Sequence, residues 1–357
     1  MKTIEINLAF KLKKAVLALG SQAKNTICFA KADKARLSPI HGDLSSPQDL
    51  FVFERDARYF LRSRPGIIAY DLHPEYQSSR YALTLTGKYR LLSIQHHHAH
   101  IASCMAENGL KNHKVIGVAF DGTGLGTDNT IWGAEFLICD YKRFVRRAHL
   151  KEIPLVGGER AILEPARLSA AWLNFDKSVD KQQILKRIYQ SGINSPLASS
   201  MGRLFDAAGS LVLGRERAGF EAELAIELER LAAKSRPCGS GYRFKMNKSK
   251  DGYILDPSNI FKQIIRDLKA KKPKAEIARR FHAGVAEMIL NTCLILRKDS
   301  GVNKIALSGG VFQNKLLLKT SLDLLYKEGF KVFTHRELSC NDSSISLGQA
   351  VIAGYRS

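Results

Sequence analysis

Short apolar runs separated by turn residues open the chain: residues 15–19 and 26–30 flank Gly20-Ser21-Gln22-Ala23-Lys24-Asn25, a pattern that predicts a hairpin. Residues 48–62 carry helical spacing, 66–71 read as a strand, and 95–107 predict a helix that opens on a cluster of histidines. From Lys114 the pattern begins again. Residues 115–120 and 131–139 predict two strands joined by the glycine-rich loop 121–128, a second hairpin. A mainly helical middle (164 to about 230) leads into an irregular basic stretch, 235–252, followed by helices at 257–270 and 275–297. The strand 304–307, the turn Ser308-Gly309-Gly310 and helices at 315–326 and 343–353 complete the chain. Two hairpin units, each followed by helices, predict a two-lobed α/β architecture with a cleft between the lobes. The boundary is placed near residue 113: residues 1–113 form the first lobe, with the C-terminal helix 343–357 packing on it. Residues 114–342 form the second lobe, with a helical insertion.

Composition narrows the class. The 357 residues, 45% of them hydrophobic, suffice for two cores without staples. No apolar run approaches the about 18 residues of a membrane span, and no signal-peptide core is present, so a cytoplasmic protein with no membrane partner is expected. Cys28, Cys104, Cys139, Cys238, Cys293 and Cys340 form no CxxC pair, which argues against a zinc ribbon or a disulfide framework and for buried reduced thiols. A formal net charge of +21 attracts anionic partners, whether nucleotides, RNA or an acidic protein surface. Much of it lies in 141–151 and 266–280, where aromatic residues do not alternate with the bases as single-stranded RNA would require. A nucleic-acid partner is therefore not expected, and the second run reads as a solvated helix face or a docking patch.

Three segments carry chemistry. Asp121-Gly122-Thr123-Gly124 can cradle a phosphate with backbone amides, or be a plain hairpin turn. Ser308-Gly309-Gly310-Val311-Phe312-Gln313-Asn314, between a strand and a helix, is either a second anion site or a tight turn. No GxxxxGK[ST] pattern occurs. In Gln95-His96-His97-His98-Ala99-His100, His96 and His100 at i and i+4 share one helix face, a spacing that suits a divalent transition metal. Asp342 is the carboxylate chosen to join them, its alternative being a helix N-cap.

These residues resemble the C-terminal transferase domain of the HypF-type hydrogenase-maturation carbamoyltransferases over nearly the whole chain. The blocks that carry the likeness are Asp71-Leu72-His73-Pro74-Glu75-Tyr76, Gln95 to His100, Phe120 to Gly124, Ile131-Trp132-Gly133, Ser200 to Ala207, Leu307 to Asn314, and Asn341-Asp342 with Leu347-Gly348-Gln349-Ala350. The resemblance implies an actin-like fold with an adenylate, carbamoyl-adenylate or ATP, between the lobes. It implies iron or zinc on His96, His100 and Asp342, and Lys24, His96 and His100 as catalytic residues. Nucleotide contacts fall on Asp121, Gly122, Thr123, Gly124, Gly202, Asp206, Glu221, Ser308, Gly309, Gly310 and Asn314. The implied reaction moves carbamoyl from the adenylate to the C-terminal Cys of a thiol-bearing, HypE-like maturation partner. The likeness covers only the transferase domain, so an adenylate-forming domain is expected in trans. Asn129 and Ala134 stand where that family usually has Gly, Phe220-Glu221-Ala222-Glu223-Leu224-Ala225 replaces a usual YEGQAA, and Ile40-His41 reverses the usual order. A non-catalytic nucleotide-binding scaffold subunit and a tRNA threonylcarbamoyl-type transferase stand as alternatives, the latter opposed by the absence of HxEGH and SGGH patterns.

Overall fold

The computed structural model describes residues 3–173, 182–237 and 239–357. Its first sheet holds β1 (Ile4–Ala18), β2 (Cys28–Leu37), β3 (Ile67–Asp71) and β4 (Arg90–Ile94) in the order β2-β1-β3-β4. The expected hairpin is present, with Ala18 opposite Cys28, but β1 begins well before residue 15. Ile6, Leu8 and Leu12 are buried while Glu5, Asn7 and Lys11 are exposed, the alternation of a half-buried strand. Irregular register between Asn7 and Leu12, and again between Leu12 and Val16, breaks that period, so the strand is hard to read as one element. Helices α1 (Pro47–Leu61) and α2 (Gln77–Leu83) lie in the connections of this sheet, α1 burying Phe53, Ala57 and Phe60 in a core with Leu17, Leu19 and Ile68.

Helix α3 (His96–Glu107) is buried from His96 through Ala106, an all-round burial that places it between layers. It packs on β1 of the first sheet and on strands of the second that include β5 (Val115–Leu125) and β12 (Lys304–Ser308). The second sheet also contains β6 (Ile131–Cys139), β7 (Phe144–Leu150), β10 (Lys245–Lys248), β11 (Tyr253–Asp256) and β13 (Lys331–Phe333), in the order β10-β11-β7-β6-β5-β12-β13. Two short strands, β8 (Ile153–Pro154) and β9 (Leu197–Ser200), pair with each other, and β9 runs parallel to β6.

Three sequence expectations need correction here, and one basic run gains an element the sequence did not assign. The 121–128 loop is largely strand: β5 runs on to Leu125, and its register shifts between Phe120 and Gly124, so Asp121, Gly122 and Thr123 form a bulge inside the hairpin. The basic run 141–151 is mostly β7, whose Arg146 Nε meets the buried Glu135 carboxylate at 2.6 Å. The irregular basic stretch contains β10. The helical middle is interrupted by β9. After the short α4 (Arg160–Leu163) it otherwise comprises α5 (Ala166–Trp172), α6 (Gln182–Ser191), α7 (Met201–Leu213) and α8 (Glu223–Ala232); residues 174–181 and, further on, Cys238 lie outside the described residues.

Helices α9 (Ser258–Lys269), α10 (Lys274–Ser300) and α11 (Lys315–Lys327) follow. The run 266–280 is more than a solvated face, because the buried Asp267 gathers Arg280 at 2.5 Å, Lys272 at 3.1 Å and the Tyr242 hydroxyl at 2.8 Å. Finally, α12 (Ile345–Tyr355) packs on α3 and β1. Gln349 fixes it to the β1–β2 turn: its Oε1 accepts from Gly20 N at 2.9 Å, and its Nε2 donates to Gly20 O at 3.2 Å. Among the described residues no helix is long and apolar enough to cross a membrane. Cys28, Cys104, Cys139 and Cys293 are buried free thiols.

Candidate metal and nucleotide site

Four side chains converge at the N-terminal end of α3. His96, His100, Asp121 and Asp342 each offer one ligand atom, and those atoms all lie within 4.8 Å of one another. His96 Nε2 is 3.3 Å and His100 Nε2 3.4 Å from Asp121 Oδ2, while Asp342 Oδ1 is 3.9 Å and 3.6 Å from the same two nitrogens. Each contributor is placed by its element. Gln95 caps α3 by accepting from His98 N at 2.8 Å, which orients the first turn. Asp121 sits in the β5 bulge. Asp342 opens a single 3-10 turn before α12, and Asn341, not Asp342, is the cap there.

Two imidazoles and two carboxylates fit a divalent transition metal of the zinc or iron kind better than a hard oxygen-seeking cation. The strongest internal sign of fit is His100 Nε2, which is buried without a hydrogen-bond partner yet faces both carboxylates. Burial disfavours charge on His96 and His100, but the surrounding carboxylates outweigh it and hold both imidazoles above their ordinary pKa. Burial would likewise raise Asp121; His100 and His96 overcome it and hold the carboxyl well below the usual range.

A further carboxylate, Asp71, whose part in the site the sequence did not show, backs His96. His96 Nδ1 meets Asp71 Oδ2 at 2.8 Å, so its Nδ1–H donates outward and, in the neutral ring, its Nε2 lone pair faces the cluster. The other histidines of the run turn away: His97 packs on Trp132, and His98 Nε2 donates to Asp140 O at 2.6 Å, with burial pushing its pKa down to about 4.

Asp121 and Gly122 are neighbours facing different side chains. A Cβ on Gly122 would meet Glu221 Oε1 at 3.1 Å, and one on Gly202 would meet Gly122 Cα at 3.0 Å, so both glycines permit close approach of β5 and α7. Here Arg203 and Asp206 are buried, with Nε and Oδ2 3.0 Å apart. The pair is not aligned as a hydrogen bond, and Arg203 Nε, Arg203 Nη1 and Asp206 Oδ2 all lack partners. Arg203 Nη2 donates to the exposed Glu221 at 3.1 Å. Burial raises the Asp206 carboxyl to about 6, against the pull of Arg203. Ala222 holds a left-handed φ of 65°, a conformation costly for any residue with a Cβ.

The remaining expected residues are placed differently. Gly124 faces the histidines, since a Cβ there would lie 2.8 Å from His96 Cδ2, and Thr123 is half-buried. Gly309 N donates to Cys340 O at 2.9 Å and Gly310 N to Asp121 Oδ1 at 3.0 Å, so these two amides are already committed within the protein. Asn314 caps α11 by accepting from Leu317 N at 2.8 Å, and its amide meets His282 Nε2 at 3.0 Å. A 3-10 turn, Gly310–Gln313, separates Gly309 from α11, so this segment does not present the free first turn of a long helix. Lys24 is exposed at φ 48° in the β1–β2 turn and is not drawn into the cluster. Its charge reaches the Cys340 thiol, which burial still pushes up to about 12.

Two α/β sheets packed about the buried α3, with the bulged β5–β6 hairpin at their junction, define an actin-like protein. The family model for the carbamoyltransferase Kae1-like domain, second subdomain, matches residues 117–349, and that for the HypF Kae1-like domain matches 11–107. Carbamoyltransferase HypF of Rhodobacter capsulatus is 34% identical over 98% of this chain and 48% of that protein; a carbamoyltransferase HypF homolog of Cupriavidus necator is 34% identical over 95% of this chain and 91% of its own length. Full-length HypF crystallised in a phosphate- and nucleotide-bound form superposes with a TM-score of 0.92 at 40% identity, covering 98% of this chain and 47% of that one. The chain belongs to the HypF carbamoyltransferase family, and it spans about half the length of that structure and of the Rhodobacter protein.

Proposed function

We propose that the chain is a cytoplasmic carbamoyltransferase of hydrogenase maturation that moves carbamoyl from carbamoyl-adenylate to the C-terminal cysteine thiol of a maturation partner. The observation that carries this reading is the adjacency of Asp121 and Gly122: one faces the His96, His100 and Asp342 cluster, the next lies against Arg203, whose Nε and Nη1, with Asp206 Oδ2, lack partners. A nucleotide with its ribose at Asp206 would therefore bring its acyl phosphate toward the cluster. The nucleotide bound by the HypF of the neighbouring crystal structure agrees with such a pocket. The break between the two family matches, 107 to 117, supports a lobe boundary near residue 113.

In the transfer, the acceptor thiol gives up its proton, sulfur bonds to the carbamoyl carbon, and the carbon–oxygen bond to phosphate breaks to release AMP. A divalent ion of zinc or iron type on His96, His100, Asp121 and Asp342 would supply Lewis-acid stabilisation of oxyanion charge. The burial of Cys28, Cys104, Cys139 and Cys293 as free thiols fits a nucleophile that arrives on the partner. The net charge of +21 favours approach of the anionic adenylate and of an acidic partner. Incubation with carbamoyl-adenylate and a maturation protein ending in Cys should give a thiol adduct 43 Da heavier, a mass gain of about one carbamoyl replacing hydrogen. Nucleotide binding without that adduct would favour a scaffold, and carbamoylation of tRNA in its place would overturn the acceptor.

Nucleotide affinity should carry the titration of Asp206. Ribose hydroxyls donate to the ionised carboxylate, which is the minor form below its pKa of about 6. AMP affinity is therefore expected to fall about tenfold between pH 7 and pH 5, and Asp206→Asn should flatten the dependence. Calorimetry showing the same slope for both proteins would remove Asp206 from the pocket.

A further inference from the structure

Behind His100 runs a second chain of buried polar groups that the proposed reaction does not use. Ser308 Oγ lies 3.4 Å from His100 Nδ1 and 2.9 Å from His335 Nε2. His335 Nδ1 lies 2.6 Å from Glu107 Oε2. The Glu107 Oε1 atom accepts the backbone amides of Arg336 at 2.8 Å and Leu338 at 3.0 Å, and that of Glu337. Glu107 and His335 are each 3% exposed in their side chains and Ser308 is fully buried, so water does not compete for these bonds.

The protons in this chain can be placed from one end. Glu107, fixed by three amides and a histidine, has a pKa held below the usual range, because these hydrogen bonds overcome its burial. As a carboxylate it only accepts, so His335 donates from Nδ1 and, as a neutral ring, offers a lone pair at Nε2. Ser308 then donates its hydroxyl proton to His335 and offers oxygen to His100, whose Nδ1 must be the donor. What remains on the neutral His100 ring is the Nε2 lone pair, pointing at Asp121 and Asp342. Glu107 and His100 stand seven residues apart on α3, two turns, so one rigid helix holds both ends of the chain.

We infer that Glu107 and His335 are positioning residues which, through Ser308, keep the proton of His100 on Nδ1 and thereby present Nε2 as a ligand. They do for His100 what Asp71 does for His96. A serine, histidine and glutamate in this order could suggest a hydrolytic triad, but the Ser308 hydroxyl is sealed from solvent and shared with His100, leaving no approach for a substrate carbon. The ligand consequence rests on the metal reading of the cluster; the placement of the proton does not.

The test uses the full chain as His335→Leu, which cannot accept from Ser308, and as His335→Gln, whose side-chain amide can. Ring nitrogen-15 spectra of the metal-free proteins, at a pH where His100 is neutral, should show the Nδ1–H form in the unmodified and Gln proteins and a mixture of tautomers in the Leu protein. Zinc affinity, by competition with a chromophoric chelator, should fall about 10- to 100-fold in the Leu protein and be largely kept in the Gln protein. Thermal midpoint and AMP binding report whether each variant is folded. A pure Nδ1–H form in all three folded proteins would overturn the inference, as would equal zinc affinities. If the unmodified chain takes up no zinc while the tautomer shift appears, the metal reading fails and the relay stands. Should His335→Leu not fold, Ser308→Ala provides the same break in the chain with a smaller change of volume.

Discussion

Replacing His96 and His100 together by alanine is expected to remove tight binding of divalent transition metals. The two imidazoles are the only nitrogen donors of the cluster, and what remains is a pair of carboxylates, the buried Asp121 and the half-buried Asp342. Carboxylates alone make a weak, oxygen-only site for zinc or iron. Outer-shell changes already cost about 10- to 100-fold in metal affinity, so loss of two direct ligands should exceed that range. Elemental analysis after dialysis, with a competition titration for zinc, reads the effect directly. His97→Ala and His98→Ala lose packing on Trp132 and Phe144 but should keep the metal, because neither ring faces the cluster. Undiminished occupancy in the double variant would sink the site.

Half of that cluster could be read from the chain, and the reason is local geometry. An i, i+4 pair on a short helix is a nearest-neighbour relation, so His96 and His100 declare themselves by spacing. Asp342 needed the family likeness to separate it from an N-cap, and the structure gives the cap to Asn341. Asp121 was legible as a residue but not in its use: a bulge in β5 decides whether the carboxylate faces a phosphate or the imidazoles, and bulges leave no periodic trace. Glu107, His335 and Asp71 contribute through bonds that span from 25 to 228 positions, which no window along the chain can show. The same holds for the fold. The hairpins and long helices follow from period and turn residues. The strands β7, β9 and β10 do not, being short or rich in cations whose partners, such as Glu135 for Arg146, lie on other elements. Ala222 is the opposite case. Its departure from the usual Gly of that motif was visible in sequence, and the left-handed backbone explains why Gly is the usual residue there.

Gly348→Ala is expected to damage fold and cluster together. A Cβ at Gly348 would stand 1.9 Å from Ala99 O, 2.6 Å from its carbonyl carbon and 2.9 Å from its Cα. These are backbone atoms in the middle of α3, flanked by its own hydrogen bonds, so no rotamer can relieve the contact and α12 must move away. The neighbouring Gln349 resists that movement through its two bonds to Gly20, which ties α12 to the first sheet. Overpacking of this kind costs about 1 to 3 kcal/mol and occasionally more, and with only backbone to yield the upper end is expected. The displacement also travels to the site, because Ala99 lies between His96 and His100 while Asp342 stands one short turn before α12. Separating the two helices lengthens the 3.6 and 3.9 Å approaches of Asp342 to the imidazoles and opens the ligand set on one side. Thermal unfolding should therefore show a lowered midpoint, and zinc affinity should drop in the same protein at temperatures where it is still folded. A variant that unfolds early but binds zinc as tightly as the unmodified chain would show that α12 supports the fold without setting the position of Asp342.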